Sequence, residues 1–314
     1  MAIGASLFDL TGRKSLVTGG SVGIGRGYAT ALAMSGADVA IVDIDENTGT
    51  QTAEEIKKTY GVDSFFVRCD VTSKSDVEAM MTQIVDRFGR LDIAVNNAGI
   101  GILGADEDYS LEAWNKVIAV NFTGMFLCCQ AEAKQFLKQK PVQGKIINTA
   151  SMSARIMNCN ASYNGSKGGV VAMTQMLAAE WGQYNINVNC ISPSYILSPM
   201  HASTPVEVRQ RIRELTPLGH VERPEDLYGA LIFLASDASN YVTGHDLLVD
   251  GGHTLNAWLT PLGRSVPPRV SPEEEIVQLK KDLDSLGVDY DENGINPNLK
   301  PEIANAFKAA FGLG

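Results

Sequence analysis

Between residues 14 and 256 the chain alternates short runs of β-branched and aliphatic residues with longer stretches in which apolar positions recur every three or four residues. The short runs lie at 14–18, 38–43, 64–69, 93–96, 145–149, 187–191 and 246–249, and most are continuously apolar. A half-exposed strand alternates apolar with polar positions, so continuous runs point to strands buried on both faces. Helical spacing predicts segments at 24–35, 49–60, 75–88, 111–138, 162–184 and 224–235. Repeated β-α-β order implies an α/β fold, a doubly wound parallel sheet with helices on both faces.

The pattern changes near residue 257. Ser271, Pro272 and Glu274 read as a helix start, with serine as the cap and proline in the first turn. Ile276, Leu279, Leu283 and Leu286 follow at helical spacing, and Ile303, Phe307 and Phe311 share a stripe in a second segment at 301–311. Two amphipathic helices of this size have too little apolar surface for a core of their own. The expected organisation is one domain over 1–256 and a helical C-terminal extension over 257–314 that packs on it or on a neighbouring subunit.

Of the 314 residues, 45% are hydrophobic and 20% charged, an ordinary globular composition. The formal net charge of −10 is spread along the chain, which disfavours nucleic acid, a partner that calls for a basic face. The first ten residues have neither a basic region nor a long apolar run, and the longest uncharged stretch, 181–200, contains Pro193 and Pro199. Neither a signal peptide nor a membrane span is expected. Cys69, Cys128, Cys129, Cys159 and Cys190 are odd in number and lack metal-ligand spacing, so they read as buried reduced thiols of a cytoplasmic protein without a metal.

The run from Gly19 through Gly20, Ser21, Val22, Gly23 and Ile24 to Gly25 joins the first predicted strand to the first predicted helix. A tight turn alone would use glycines. Placed here, they also let a pyrophosphate approach the backbone at a helix N-terminus, making Gly19, Ser21, Gly23, Ile24 and Gly25 candidate dinucleotide contacts. The second strand ends at Asp43, about 20 residues beyond the glycines, where a carboxylate accepts hydrogen bonds from the adenosine ribose. It would repel a 2′-phosphate, and neither Val22 nor Ile44 is basic, so the expected cofactor is NAD rather than NADP.

The Gly-x-x-x-Gly-x-Gly spacing of Gly19, Gly23 and Gly25 resembles the short-chain dehydrogenase/reductase family, whose fold is of Rossmann type. Asp70-Val71, Asn96-Asn97-Ala98-Gly99 and Tyr163-Asn164-Gly165-Ser166-Lys167 match its further motifs in order, and the likeness covers residues 8–256. The resemblance implies that Asp70 and Val71 flank the adenine and that Asn97, Ala98 and Gly99 line the cofactor. Pro193, Ile196 and Ser198 would hold the nicotinamide end. It further implies a homotetramer or homodimer.

Tyr163 and Lys167 stand four apart and share one helix face, the only Tyr-x-x-x-Lys among nine tyrosines. Hydride transfer must be matched by proton transfer at the substrate oxygen. A phenol with a pKa near ~10 is a poor base at neutral pH, and a nearby ammonium favours the phenolate. Tyr163 is therefore the expected acid/base, with Lys167 lowering its pKa and, by resemblance, holding the cofactor ribose. Ser151, just after the strand at 145–149, would hydrogen-bond the substrate oxygen. Asn121 resembles the family asparagine that anchors a water. An N-cap role for Ser151 and a helix-kinking role for Asn121 are the plainer alternatives.

Two departures from the family stand out. Ser151 lies twelve residues before Tyr163, one closer than usual, with Ser153 as a weaker candidate. Ser194 follows Pro193 where the family usually has glycine.

The expected substrate loop, 197–220, carries His201, Ser203, Thr204, Arg209, Arg211 and Arg213, too polar a set for a sterol or long acyl chain. Ser153, Arg155, Asn158 and Asn160 add further polarity, although Arg155 reads equally as a surface salt-bridge partner. The run 147–153 resembles the polyol dehydrogenases of the family. The expected function is NAD-dependent interconversion of a secondary alcohol and a ketone on a small molecule: a polyol, sugar or sugar-acid. Reduction of a 3-oxoacyl or small hydroxy-ketone substrate is the alternative. The Ser-Tyr-Lys set argues against a non-enzymatic scaffold. The enoyl-reductase branch, whose tyrosine sits further from its lysine, is disfavoured.

Overall fold

A computed structural model describes residues 6–196 and 204–255, with Val277 and Lys280 beyond them. Ser198, the second expected tail helix and all of the first but Val277 and Lys280, which are helical, lie outside the described residues. The elements are β1 (Lys14–Thr18), α1 (Gly23–Met34), β2 (Asp38–Asp43), α2 (Glu46–Tyr60), β3 (Ser64–Arg68), α3 (Lys74–Phe88), β4 (Ile93–Asn96), α4 (Leu111–Ile118), α5 (Met125–Lys138), β5 (Gly144–Thr149), α6 (Ala161–Trp181), β6 (Ile186–Pro193), α7 (Val206–Leu215), α8 (Tyr228–Ala235) and β7 (Asp246–Val249).

The strands form a seven-stranded sheet in the order β3-β2-β1-β4-β5-β6-β7, a Rossmann-type doubly wound sheet. β1 pairs in parallel with β2 on one side and β4 on the other, Thr18 opposite both Val42 and Asn96. The strand order reverses there, and in open α/β sheets the ligand crevice lies at the carboxyl ends beside such a reversal. Every residue of β4 and β5 is buried, which is why these runs are continuous rather than alternating. Leu16, Ala40, Val42, Ala94 and Ile146 of the sheet pack with Met80 and Ile84 of α3 and Phe136 of α5. Helix ends follow local chemistry. Asp45 caps α2 by accepting from Asn47 and Thr48 N–H, and Gly61 closes it at φ 72°.

Two expectations need correction. The segment 111–138 is not one α-helix: Ala119–Gly124 forms a π-helical turn between α4 and α5. Period alone does not show the break, which coincides with the tie between Asn121 and Ile100 and with a close approach of Gly124 to Val71. The expected substrate loop contains the helix α7, whose Val208 and Ile212 are buried with Val221 against Tyr195. Among its described side chains only Val208 and Ile212 are apolar and fully buried between the charged residues, which hid the helical period.

The described residues fall into two compact units. The first takes those up to Ser192 together with Glu225–Leu248; the second takes Pro193–Pro224 and those from Val249 onward. In the second unit Ser194 N–H donates to Glu222 Oε2 at 2.6 Å, and the Tyr195 ring meets His253 edge-on at 5.6 Å. No described helix is long and apolar enough to cross a membrane. Four cysteines are buried and unbridged, but Cys159 is exposed, unlike the buried thiol expected there, because it lies on the loop before α6.

Glu132 on α5 is fully buried and receives a hydrogen bond from Asn96 Nδ2 at 3.0 Å. Burial raises its carboxyl from 4.5 to about 8, with the Asn96 bond pulling the other way. The folded state thus holds this proton more tightly than the unfolded chain. Ionising it costs stability, starting near pH 4.5 and complete above about pH 8. Glu132→Gln should melt like the parent protein below pH 4.5 and gain stability toward alkaline pH, at about 1.4 kcal/mol per pH unit between the two values. Thermal denaturation across pH checks this, and a difference that does not grow with pH would refute it.

Candidate active site

The glycine turn after β1 is shaped by close backbone contact. A Cβ on Gly25 would sit 1.9 Å from the Gly19 carbonyl oxygen, and one on Gly19 would sit 2.9 Å from Ala98 Cα. Gly23 has φ 58°, a left-handed value that glycine adopts without strain. α1 begins after Val22 with no side-chain cap and no acidic residue in its first turn, so its leading N–H groups and positive dipole end face outward uncompensated. Ser21 Oγ is buried without a hydrogen-bond partner. Uncapped donors, an orphaned hydroxyl and a cradle that a Cβ would fill fit the pyrophosphate of a dinucleotide.

The neighbouring strand ends converge on this turn. Asp43, ending β2, accepts from Ser21 N–H at 3.1 Å and Ile44 N–H at 2.7 Å, which fixes its carboxylate beside the turn. Thr18 Oγ1 accepts from both Asn97 N–H at 3.0 Å and Ala98 N–H at 3.1 Å, and Asn97 Nδ2 donates to the Gly19 carbonyl at 3.2 Å. Gly99 lies close to Asn121 and Lys167: a Cβ there would be 3.4 Å from Asn121 Oδ1 and 3.7 Å from Lys167 Nζ. Asp70 is exposed after β3 and accepts from Thr72, while Val71 is buried under Gly124. Sequence reasoning did not single out Thr18. A threonine ending an apolar strand looks like an ordinary strand former, and only the pairing of β1 with β4 reveals its two acceptances.

α6 carries the second half of the site. Asn160 caps it by accepting from Tyr163 N–H, and Asn160 Nδ2 holds the Ile102 carbonyl at 2.7 Å. Lys167 is buried, and its Nζ donates to the Thr149 carbonyl at 2.8 Å, docking α6 against the end of β5. Burial lowers its pKa to about 8, with Cys190 opposing. Lys167 Nζ stands 5.8 Å from the Tyr163 ring centroid.

Tyr163 is half-buried. Burial pushes its phenol upward, Cys159 adds to this, and a hydrogen bond to Ser151 draws it down. The phenol therefore sits above its ordinary value, not below it as the sequence suggested, because burial is the largest influence on it. Ser151 caps a short turn at Met152–Ala154, accepting from Ser153 N–H at 3.1 Å, so the plain capping role and the neighbourhood of Tyr163 coexist in one side chain. Asn121 is fully buried in the π turn. It pairs with both backbone groups of Ile100, at 2.8 and 2.9 Å, and reaches Ser166 Oγ at 3.3 Å. π turns often occur at functional sites.

Asn164, beside Tyr163, ties down the loop that follows Ser151. Its Nδ2 donates to the carbonyls of Ser153 and Ile156 at 2.8 and 2.7 Å, and its Oδ1 accepts Cys159 N–H at 3.1 Å. Arg155 resolves as an ion-pair partner, reaching Asp246 at 2.8 Å. Pro193 and Ile196 belong to the second unit, where Ile196 is buried and its backbone bridges to Glu222. No group of metal-ligating side chains occurs among the described residues.

A family profile described as enoyl-(acyl carrier protein) reductase matches residues 19–254. The chain belongs to the short-chain dehydrogenase/reductase family, an oxidoreductase of alcohols and ketones that uses a nicotinamide cofactor and a small-molecule substrate. Within that family it is 37% identical over 250 residues to D-threitol dehydrogenase of Mycolicibacterium smegmatis, covering 79% of this chain and 95% of the relative. It is 34% identical over 250 residues to the NAD-dependent glycerol dehydrogenase of Listeria innocua (79% of this chain, 96% of the relative). It is 36% identical over 255 residues to the NADP-dependent mannitol dehydrogenase of Alternaria alternata (79% and 95%). The crystal structure of a short-chain type dehydrogenase/reductase from Mycobacterium marinum superposes with a TM-score of 0.75 at 40% identity, covering 79% of this chain and 98% of that one.

Gly25→Ala should weaken binding of the nicotinamide dinucleotide more than tenfold and destabilise the fold by about 1–3 kcal/mol, since the new methyl meets backbone that cannot move aside. Cofactor titration by fluorescence and thermal melting measure both effects, and unaltered binding would contradict the turn's assignment.

Proposed function

We propose that the protein oxidises a secondary alcohol of a polyol, sugar or sugar-acid to the ketone, and catalyses the reverse, with NAD. The observation that carries the reading is the packing of Lys167, Tyr163 and Ser151 at the carboxyl end of β5: the lysine is docked on Thr149 and the tyrosine hydrogen-bonds the serine. Tyr163 takes the hydroxyl proton of the alcohol during oxidation and returns it to the oxygen during reduction. Ser151 donates a hydrogen bond to the same oxygen and stabilises the charge that develops there. Lys167 favours the phenolate through its charge and holds the cofactor ribose, while Asn121 anchors a water on the proton's path to solvent. When bound, the nicotinamide ring carries the hydride and, in its oxidised form, brings a positive charge that favours the phenolate.

Gly19, Ser21, Gly23, Ile24 and Gly25 would hold the pyrophosphate, with Asp43 on the ribose, Asp70 and Val71 beside the adenine and Asn97 to Gly99 along the centre. Pro193, Ile196 and Ser198 would hold the nicotinamide end. Relatives of similar identity are named for NAD and for NADP. Asp43 supports NAD, because its carboxylate is fixed beside the turn where a 2′-phosphate would bring two negative charges. The polyol reading draws on the relatives' names and on the polar residues beside Ser151. A homotetramer, or homodimer, of a cytoplasmic protein completes the proposal.

Tyr163→Phe should lower kcat for alcohol oxidation by at least a thousandfold while NADH binding, read by fluorescence, survives. Retained turnover across a panel of polyols, hydroxy acids and secondary alcohols would sink the mechanism. The same panel run with NADP should give kcat/KM at least tenfold below that with NAD, and equal values would overturn the cofactor choice.

A further inference from the structure

α2 packs closely against the glycine turn. Its Gly49 allows the approach: a Cβ there would stand 2.9 Å from Ser21 Oγ and 2.2 Å from Phe66 Cδ2. One helical turn on, Thr52 is 2% exposed, and its hydroxyl donates to the Ser21 carbonyl at 2.9 Å. Ser21 is thereby held at both backbone groups, since its N–H donates to Asp43 at 3.1 Å. The Gly20 N–H, one residue earlier, donates to the Val42 carbonyl at 3.2 Å. Docking of the helix does not call for a hydroxyl at position 52. Ala53 and Ile56 are buried on the same helix, and a valine would fill the space of Thr52 with no polar group to desolvate.

We propose that Thr52 is a positioning residue for the dinucleotide: by holding the Ser21 carbonyl it aims the Val22 N–H at the pyrophosphate. The inference rests on the reading of the glycine turn as the cofactor's cradle. The Ser21 carbonyl and the Val22 N–H belong to one planar trans peptide, so they point in opposite directions. With the carbonyl turned in to α2, the N–H turns out to the side where Val22 is exposed and α1 begins uncapped. There it joins the leading N–H groups of α1 around an anion. Without the Thr52 hydroxyl the Ser21 carbonyl is buried without its partner, the peptide rotates toward another donor, and the Val22 N–H loses its aim. Thr52 is itself buried and acts on the cofactor only through Ser21.

The test is NADH affinity by fluorescence titration of the intact protein, measured beside the kinetics and the melting temperature. Thr52→Val should raise the Kd for NADH about tenfold. It should leave kcat at saturating NAD, and KM for the alcohol, within about twofold of the parent. ADP-ribose, which carries the pyrophosphate without the nicotinamide, should lose affinity by the same factor. Thr52→Ser keeps the hydroxyl and drops the methyl, so it should bind NADH like the parent although it melts lower. That pattern separates aiming from packing. Should Thr52→Val fail to fold, Thr52→Ala and Thr52→Ser differ only in the hydroxyl, and the difference in Kd should fall between them. Parental affinity in Thr52→Val, a loss that Thr52→Ser does not rescue, or a loss that ADP-ribose does not share overturns the proposal, as do equal Kd values for the Ala and Ser variants. If Gly25→Ala weakens cofactor binding while Thr52→Val does not, only this inference fails; if Gly25→Ala binds like the parent, the reading of the turn fails first.

Discussion

A buried ammonium must be met by an acceptor, and Lys167 is met by the carbonyl of Thr149 at 2.8 Å. That contact fixes the rotation and height of α6 over the end of β5. Every other relationship in the second half of the site follows from it. Tyr163 lies one turn before Lys167 and so faces the same way, Ser151 lies two residues past Thr149, and the π turn bearing Asn121 reaches α6 through Ser166.

The parallel sheet supplies the other constraint. Strands covered on both faces have little room for polar groups along their length, so these collect at the ends. Thr18, Asp43, Asn97 and Ser151 all sit at or just beyond carboxyl ends, and there they satisfy one another's backbones as well as offering groups to a ligand. The glycine turn is held from both sides, by Asp43 through Ser21 and by Asn97 through Gly19, so its shape belongs to the sheet and not to the turn alone.

Much of this was legible in the sequence because it depends on residue type and spacing. Continuous apolar runs gave the strands, four of them with the bounds seen in the structure, and the glycines, Asp43 and the Tyr-x-x-x-Lys step fell where strand ends demand them. What escaped depends on contacts between distant segments. The π turn at 119–124 keeps the apolar period of the helices on either side, and its cause lies in Ile100 and Val71. α7 was hidden because Arg209 and Arg213 are buried along with Val208 and Ile212, so the polar face is narrower than the composition suggests. The direction of the Tyr163 shift was misjudged because spacing reveals a neighbouring charge but not the burial that opposes it.

Asn164 binds the loop at 153–159 by three backbone hydrogen bonds and is the residue next to Tyr163. The loop and the proposed acid/base are therefore tied together through adjacent residues of one helix. Lengthening or reshaping this loop would disturb Tyr163 through Asn164, so it is a poor place for substrate preference to diverge. Variation in what the enzyme accepts is channelled into side chains that leave the Asn164 tie intact, and into parts of the chain that can change without moving the proton's destination.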